Sequence, residues 1–207
     1  MRVVLAIAAA SLMLVTGCDT ARDAQPLGAA RQVAQTTGAH GGEAAFWQLI
    51  AETRDAAGND SGEQSSLIEE RLSKLPPRTI VEFARFRERL DRRAYTWQMW
   101  GAASVIEDGC SDDCFRDFRG YVISLGRGPY EKALIDPDSL ASVAQDAETG
   151  DWENADNVAP DAYSSATGDD FPLDDSDLSG PPAGMPFDVH DAATLAHRYP
   201  KLVSRFR

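Results

Sequence analysis

The stretch I-V-E-F-A-R-F-R-E-R-L-D-R-R-A-Y-T-W-Q-M-W-G-A-A-S-V-I, residues 80–106, decides the fold class. Ile80, Phe83, Phe86, Leu90, Ala94 and Trp97 recur every three or four positions, the spacing that lines one face of an α-helix. Tyr95, Met99, Ala102 and Ile106 carry the period onward on a neighbouring face, which predicts a bend or break near Ala94. Between the apolar positions, Arg85, Arg87, Arg89, Arg92 and Arg93 alternate with Glu82, Glu88 and Asp91. Opposite charges three and four residues apart are the pattern of a solvated face laced with ion pairs. That face offers a diluted basic patch for anionic lipid, or a surface that receives an acidic part of the same chain.

The same period extends to both sides. Phe46, Leu49, Ile50, Thr53 and Ala57 form one helical face, closed by Gly58 and the polar run to Gly62. Ile68, Leu72 and Leu75 mark a second helix, which Pro76-Pro77 stops. Beyond Gly109, Ser111 is placed to cap a helix whose first turn holds Asp112 and Asp113, and Phe115, Phe118, Val122 and Leu125 form its buried stripe. Gly126, Gly128 and Pro129 break it. Asp136-Pro137 reads as an N-cap followed by proline at the first helical position, with Leu140, Val143 and Ala144 inward. A last short helix spans roughly 191–199 and ends at Pro200. No stretch alternates cleanly enough for a strand. The expectation is an all-α, compact multi-helix domain with an irregular acidic C-terminal segment and a short terminal helix.

The N-terminus carries a different signal. After Arg2, an almost unbroken apolar run from Val3 to Val15 leads to Thr16-Gly17-Cys18. Thirteen such residues reach roughly 20 Å at about 1.5 Å each, short of the ~30 Å hydrocarbon core of a bilayer. A charge, a short apolar run and small residues before a cut are the layout of an export signal. The cysteine after them resembles the lipobox of bacterial lipoproteins, which are cut before the Cys and acylated on it. Residues 1–17 are thus expected to be a lipoprotein signal peptide and Cys18 the lipidation site. Asp19 resembles a retention signal for the inner membrane of a host with two membranes. A start codon placed too far upstream would instead leave the protein in the cytoplasm. Residues 18–42, rich in Ala, Gly, Gln and Thr, read as a flexible tether. The helical domain follows over 43–148, then an acidic, largely irregular segment over 149–190 and a C-terminal helix over 191–207 packed on the domain.

Charge placement restricts the partners. The 207-residue chain carries −13, and fifteen carboxylates without a single Lys or Arg lie between Asp136 and Asp191, so the remainder sums to +2. A near-neutral body with an acidic segment argues against nucleic acid as a partner. Like charges repel, and 150–184 has few large apolar residues. Part of that segment is expected to be mobile, with Trp152, Tyr163 and Phe171 as anchors on the helical body. Cys110 and Cys114 form a candidate disulfide if the chain is exported, or remain two thiols. Their spacing suits neither a zinc site nor a redox motif.

Several motifs occur in a fixed order: F-W-Q-L-I-A-E-T-R at 46–54, Y-T-W-Q-M-W-G-A-A from Tyr95, and G-C-S-D-D-C-F-R-D-F-R-G-Y at 109–121. S-L-G-R at 124–127, D-P-D-S-L-A at 136–141 and Y-P-K-L at 199–202 continue it. Together they resemble the bacterial family called domain of unknown function 4240, over most of residues 43–147 and the C-terminal end. The resemblance implies a mostly helical domain. It implies no catalytic residues, because the family has no established activity.

The densest group of site-like residues is Trp97, Trp100, Gly101, Ser111, Asp112, Asp113 and Arg119. Two indoles beside carboxylates and a guanidinium can stack on and clamp a polar ligand. The plainer reading makes the tryptophans core, the aspartates helix-dipole partners and Gly101 a point of close packing. Asp175-x-Asp177-x-Ser179-Gly180 begins like a calcium loop, but its twelfth position is Pro186. His190 and His197 lack a third ligand nearby, so no metal is expected. A Cys110–His197 nucleophile pair has no supporting motif, and neither a phosphate loop nor a nucleophile elbow occurs. No cofactor is expected. The function read from the sequence is a non-catalytic binding module, lipid-anchored on the exported side of a bacterial membrane and facing a protein partner. Two rivals stand beside it: an immunity-type protein that neutralises a basic toxin, and an enzyme that uses Trp97, Asp112, Asp113 and Arg119 on a small polar substrate.

Overall fold

A computed structural model describes residues 42–58, 60–144, 156–172 and 180–207. Among them lie nine α-helices and one 3-10 helix, and the one β-bridge, Thr96 with Ala183, is isolated. The domain is all-α, as the apolar period requires. The first three helices are α1 (Glu43–Ala57), α2 (Ser61–Leu72) and α3 (Pro77–Ala94); α4 (Trp97–Ile106), α5 (Asp112–Ser124) and α6 (Arg127–Ile135) follow. After the 3-10 helix Pro137–Ser142 come α7 (Val158–Thr167), α8 (Ala192–Arg198) and α9 (Pro200–Phe206).

The expected break near Ala94 falls at Tyr95–Thr96. Thr96 turns extended, and its hydroxyl accepts from the Met99 N–H at 3.1 Å, capping α4. The break is held from outside: the Trp97 N–H donates to Ala183 and the Ala183 N–H to Tyr95. Ser111 caps α5 through the Cys114 N–H, as its position before Asp112 and Asp113 suggests. Asp60 does the same for α2 by accepting from the Glu63 N–H at 2.8 Å. The inner stripes of α1, α3, α4 and α5 meet in a single core, with Ile50, Ile80, Met99, Phe115, Val122 and Tyr130 almost fully buried.

Three expectations need correction. The helix does break at Leu125–Gly126, where Gly126 adopts φ 97°, but Gly128 and Pro129 lie inside a further helix, α6, which begins at Arg127. Pro129 sits in its first turn, where a missing N–H costs nothing. Pro76-Pro77 separates α2 from α3, but Pro77 is also the first residue of α3. Pro200 likewise closes α8 and opens α9, so the C-terminus holds two short helices instead of one. Asp136 caps nothing with its side chain, and Pro137–Ser142 winds as 3-10. The capping carboxylate is instead Asp138, only 5 % exposed, which accepts from the Lys201 and Leu202 N–H groups at the start of α9.

Within the acidic segment one helix, α7, packs on α2 and α3. Val158, Ala159 and Ala162 are buried, and small side chains suffice for such a helix to lie close. Tyr163 and Phe171 meet edge to face at 5.5 Å and pack partly buried against the core. Trp152 lies outside the described residues.

Candidate functional site

The break between α3 and α4 and the start of α5 bring an aromatic stack together. Trp97 lies parallel to Trp100 at 5.6 Å, Trp100 to Phe115 at 4.9 Å, and Phe115 to Tyr95 at 5.8 Å. Trp97 and Trp100 are three apart on one helix, so their rings share a face. The Trp100 indole N–H donates to the Cys110 carbonyl at 2.8 Å, fixing that ring against the loop before α5. Cys110 and Cys114 are joined by a disulfide with Cα atoms 5.3 Å apart, closing the loop onto the first turn of α5.

Arg119 reaches the stack from α5. It is 4 % exposed, and its guanidinium lies over Phe115 at 4.7 Å and Tyr95 at 4.9 Å. Its charge is met by Asp91 of α3 in a bidentate pair, Nε and Nη2 at 3.1 and 3.0 Å from the two carboxylate oxygens. Asp112 and Asp113 are exposed at the N-terminus of α5, with Asp113 paired to Arg116 at 3.4 Å. The sequence cluster therefore splits. Trp97, Trp100 and Arg119 belong to one stack, while the two aspartates face solvent away from the guanidinium that was to converge with them.

Gly101 shows why the next turn of α4 is bare. A Cβ there would lie 2.5 Å from the Tyr199 hydroxyl and 2.7 Å from the Phe187 ring. The Tyr199 hydroxyl instead donates to the Gln98 carbonyl at 2.8 Å. Burial raises the Tyr199 pKa to about 12, opposed by Arg198 and aided by Asp138. Tyr130, whose hydroxyl donates to the Leu90 carbonyl, is raised by burial as well. Both phenols hold their protons in the folded state well above the unfolded value of about 10, so folding stability is intact below about pH 10 and falls as pH climbs towards 12. Tyr199→Phe should make that decline shallower, read as denaturant midpoints from pH 8 upward. An unchanged slope would mean Tyr199 ionises freely while folded.

Among the described residues, the acidic segment forms ion pairs with the arginine-bearing helix and its neighbour through Asp156. Asp156, just before α7, pairs with Arg87 of α3 and with Arg116 of α5. Arg87 Nε is buried with no hydrogen-bond partner among the described residues.

A cavity of about 400 Å³ opens beside α3. Ala45, Phe46 and Leu49 of α1, Leu72 and Leu75 at the end of α2, and Phe83 and Phe86 of α3 form its floor. Its rim is polar: Gln48 donates to Glu52 at 2.8 Å, and Glu52 accepts from Arg71 at the same distance. Gly42, where the described chain begins, lines the same cavity. Nothing in the sequence pointed here. The residues read as ordinary core positions.

Among the described residues no three His, Cys, Asp or Glu side chains gather to hold a metal ion, and no helix is long and apolar enough to cross a membrane. Cys18, with the proposed signal and tether, lies outside the described residues, as do Asp175, Asp177 and Ser179 of the calcium-like loop. His190 and His197 are both exposed. A protein-family model described as "Protein of unknown function (DUF4240)" matches residues 42–165. No curated protein and no solved structure matches the chain.

Proposed function

The chain belongs to the DUF4240 family, and we propose that it is a non-catalytic binding module, held at the exported side of a bacterial membrane through lipid on Cys18. The observation that carries the binding reading is the cavity between α1, α2 and α3. It is concave, floored by three phenylalanines and three leucines, and ringed by Gln48, Glu52, Arg71 and Glu82. An apolar floor with aromatic anchors and a polar rim is the anatomy of a protein interface. A slot between two helices suits the apolar face of a partner's amphipathic helix.

The enzyme reading loses its clamp. Arg119 is committed to Asp91 and two ring faces, and Asp112 and Asp113 point elsewhere. The disulfide accords with export, since such bonds persist in oxidising compartments.

The test is capture of partners from the native envelope by the lipidated chain and by Leu49→Arg and Leu75→Arg. Both side chains are only partly buried, so the variants should keep their helical circular dichroism. A partner held by the parent and lost by both variants supports the groove. A partner retained by both folded variants places the binding face elsewhere.

A further inference from the structure

The geometry points to the outer face of α3 as a docking surface for anionic phospholipid, which turns the groove-bearing side of the domain towards the membrane; this rests on the membrane-anchored reading above. Most of α3's charges are accounted for within the fold. Glu82 neutralises Arg78 at 2.9 Å, Glu88 neutralises Arg92 at 3.0 Å, Asp91 is taken by Arg119, and Arg87 by Asp156. Three arginines remain. Arg85, Arg89 and Arg93 are exposed and, among the described residues, have no carboxylate within 4 Å.

Their spacing makes them a stripe. Four residues apart, they rise along one side of the helix over about 12 Å and drift slowly around it. The drift is towards the cavity: the Arg89 guanidinium lies 4.9 Å over the ring of Phe86, which lines that cavity. The Arg93 guanidinium lies 5.8 Å over Tyr130. Aromatic faces hold both cations outward without neutralising them. A chain of −13 thus exposes a local run of three positive charges. Carboxylates farther than about 8 Å from the stripe are largely screened at physiological salt.

The occupant follows from charge and attachment. Gly42, the residue at which the proposed tether would join the body, lines the same cavity as Phe86. A chain anchored through Cys18 would therefore enter on the side that carries the stripe. Each arginine near an anionic bilayer strengthens binding roughly fivefold, so three give on the order of a hundredfold. That is weak for a free protein and ample for one already tethered, where a second signal sets orientation.

The full chain carrying Cys18→Ser, and the same chain with Arg85→Gln, Arg89→Gln and Arg93→Gln, are partitioned onto phosphatidylcholine vesicles and onto vesicles containing roughly one third phosphatidylglycerol. The Met1 α-amino group and Arg2 beside the apolar Val3–Val15 run favour anionic vesicles alike in both proteins, so the difference between the two in anionic excess reports the stripe. The expected result is an anionic excess at least about tenfold larger for the parent than for the triple variant at low salt, with that difference lost at high salt. No excess in the parent, or an excess undiminished by the triple substitution, would overturn the proposal. So would tighter, equally arginine-dependent binding to duplex DNA than to anionic vesicles. The anchor is judged separately: unlipidated Met1 chain in the cytosol of the native host would end that reading whatever the vesicles show.

Discussion

Asp91→Ala should destabilise the domain by about 3–5 kcal/mol, because it leaves the Arg119 guanidinium buried without its counter-charge. Arg119 is 4 % exposed and packed over the rings of Phe115 and Tyr95, so water cannot replace the lost carboxylate without opening the stack. Arg119→Ala should cost a similar amount, since Asp91 then loses two charge-assisted hydrogen bonds and the rings lose a packed neighbour. The informative variant is the double one. Asp91→Leu with Arg119→Met replaces the pair by apolar side chains of similar length and should recover most of the loss. Urea unfolding followed by circular dichroism gives all three values. If the single variants lose less than about 1 kcal/mol, the pair is solvated in solution and the guanidinium is free to meet a ligand.

That pair also shows where the sequence stops being readable. The helices themselves were legible, because each core face repeats every three or four residues from Phe46 to Leu125 and the cap Ser111 stands where chain polarity needs it. Prolines were harder. Pro77 and Pro200 read as stops, yet the same missing N–H that ends one helix is harmless at the start of the next. α7 was hidden because its buried face is built from Val158, Ala159 and Ala162, too small to stand out among acidic neighbours. The candidate site was half legible. Trp97, Trp100 and Arg119 were picked by composition and are joined through Phe115 in one stack, but Arg119's partner is 28 positions back and looked like one more charge on a solvated helix. Gln64 is a similar case: its amide donates to the Ile50 and Ser124 carbonyls, tying three helices, and no local pattern announces it. Long-range polar pairs leave no period behind.

Phe115→Ala should cost about 3–5 kcal/mol, the range for deleting a fully buried phenylalanine, and Trp97→Ala clearly less. Both rings belong to one stack, so the sequence treats them alike; their positions in it differ. Phe115 is fully buried, with Trp100 at 4.9 Å, Tyr95 at 5.8 Å and the Arg119 guanidinium at 4.7 Å. Removing it empties a site that all three neighbours would have to collapse into, and Arg119 is pinned by Asp91. Trp97 ends the stack, partly exposed, with Trp100 as its one ring neighbour in the described structure. Its loss uncovers Trp100 without leaving a closed cavity. The two substitutions also differ in coupling. Phe115→Ala combined with Arg119→Ala should fall short of the sum of the singles, because the ring and the guanidinium share one contact, whereas Trp97→Ala with Arg119→Ala should add. Equal losses at Phe115 and Trp97 would show that Trp97 is core in solution. A large loss at Trp97 and a small one at Phe115 would mean the stack is built from the other end, with Arg119 at its open side.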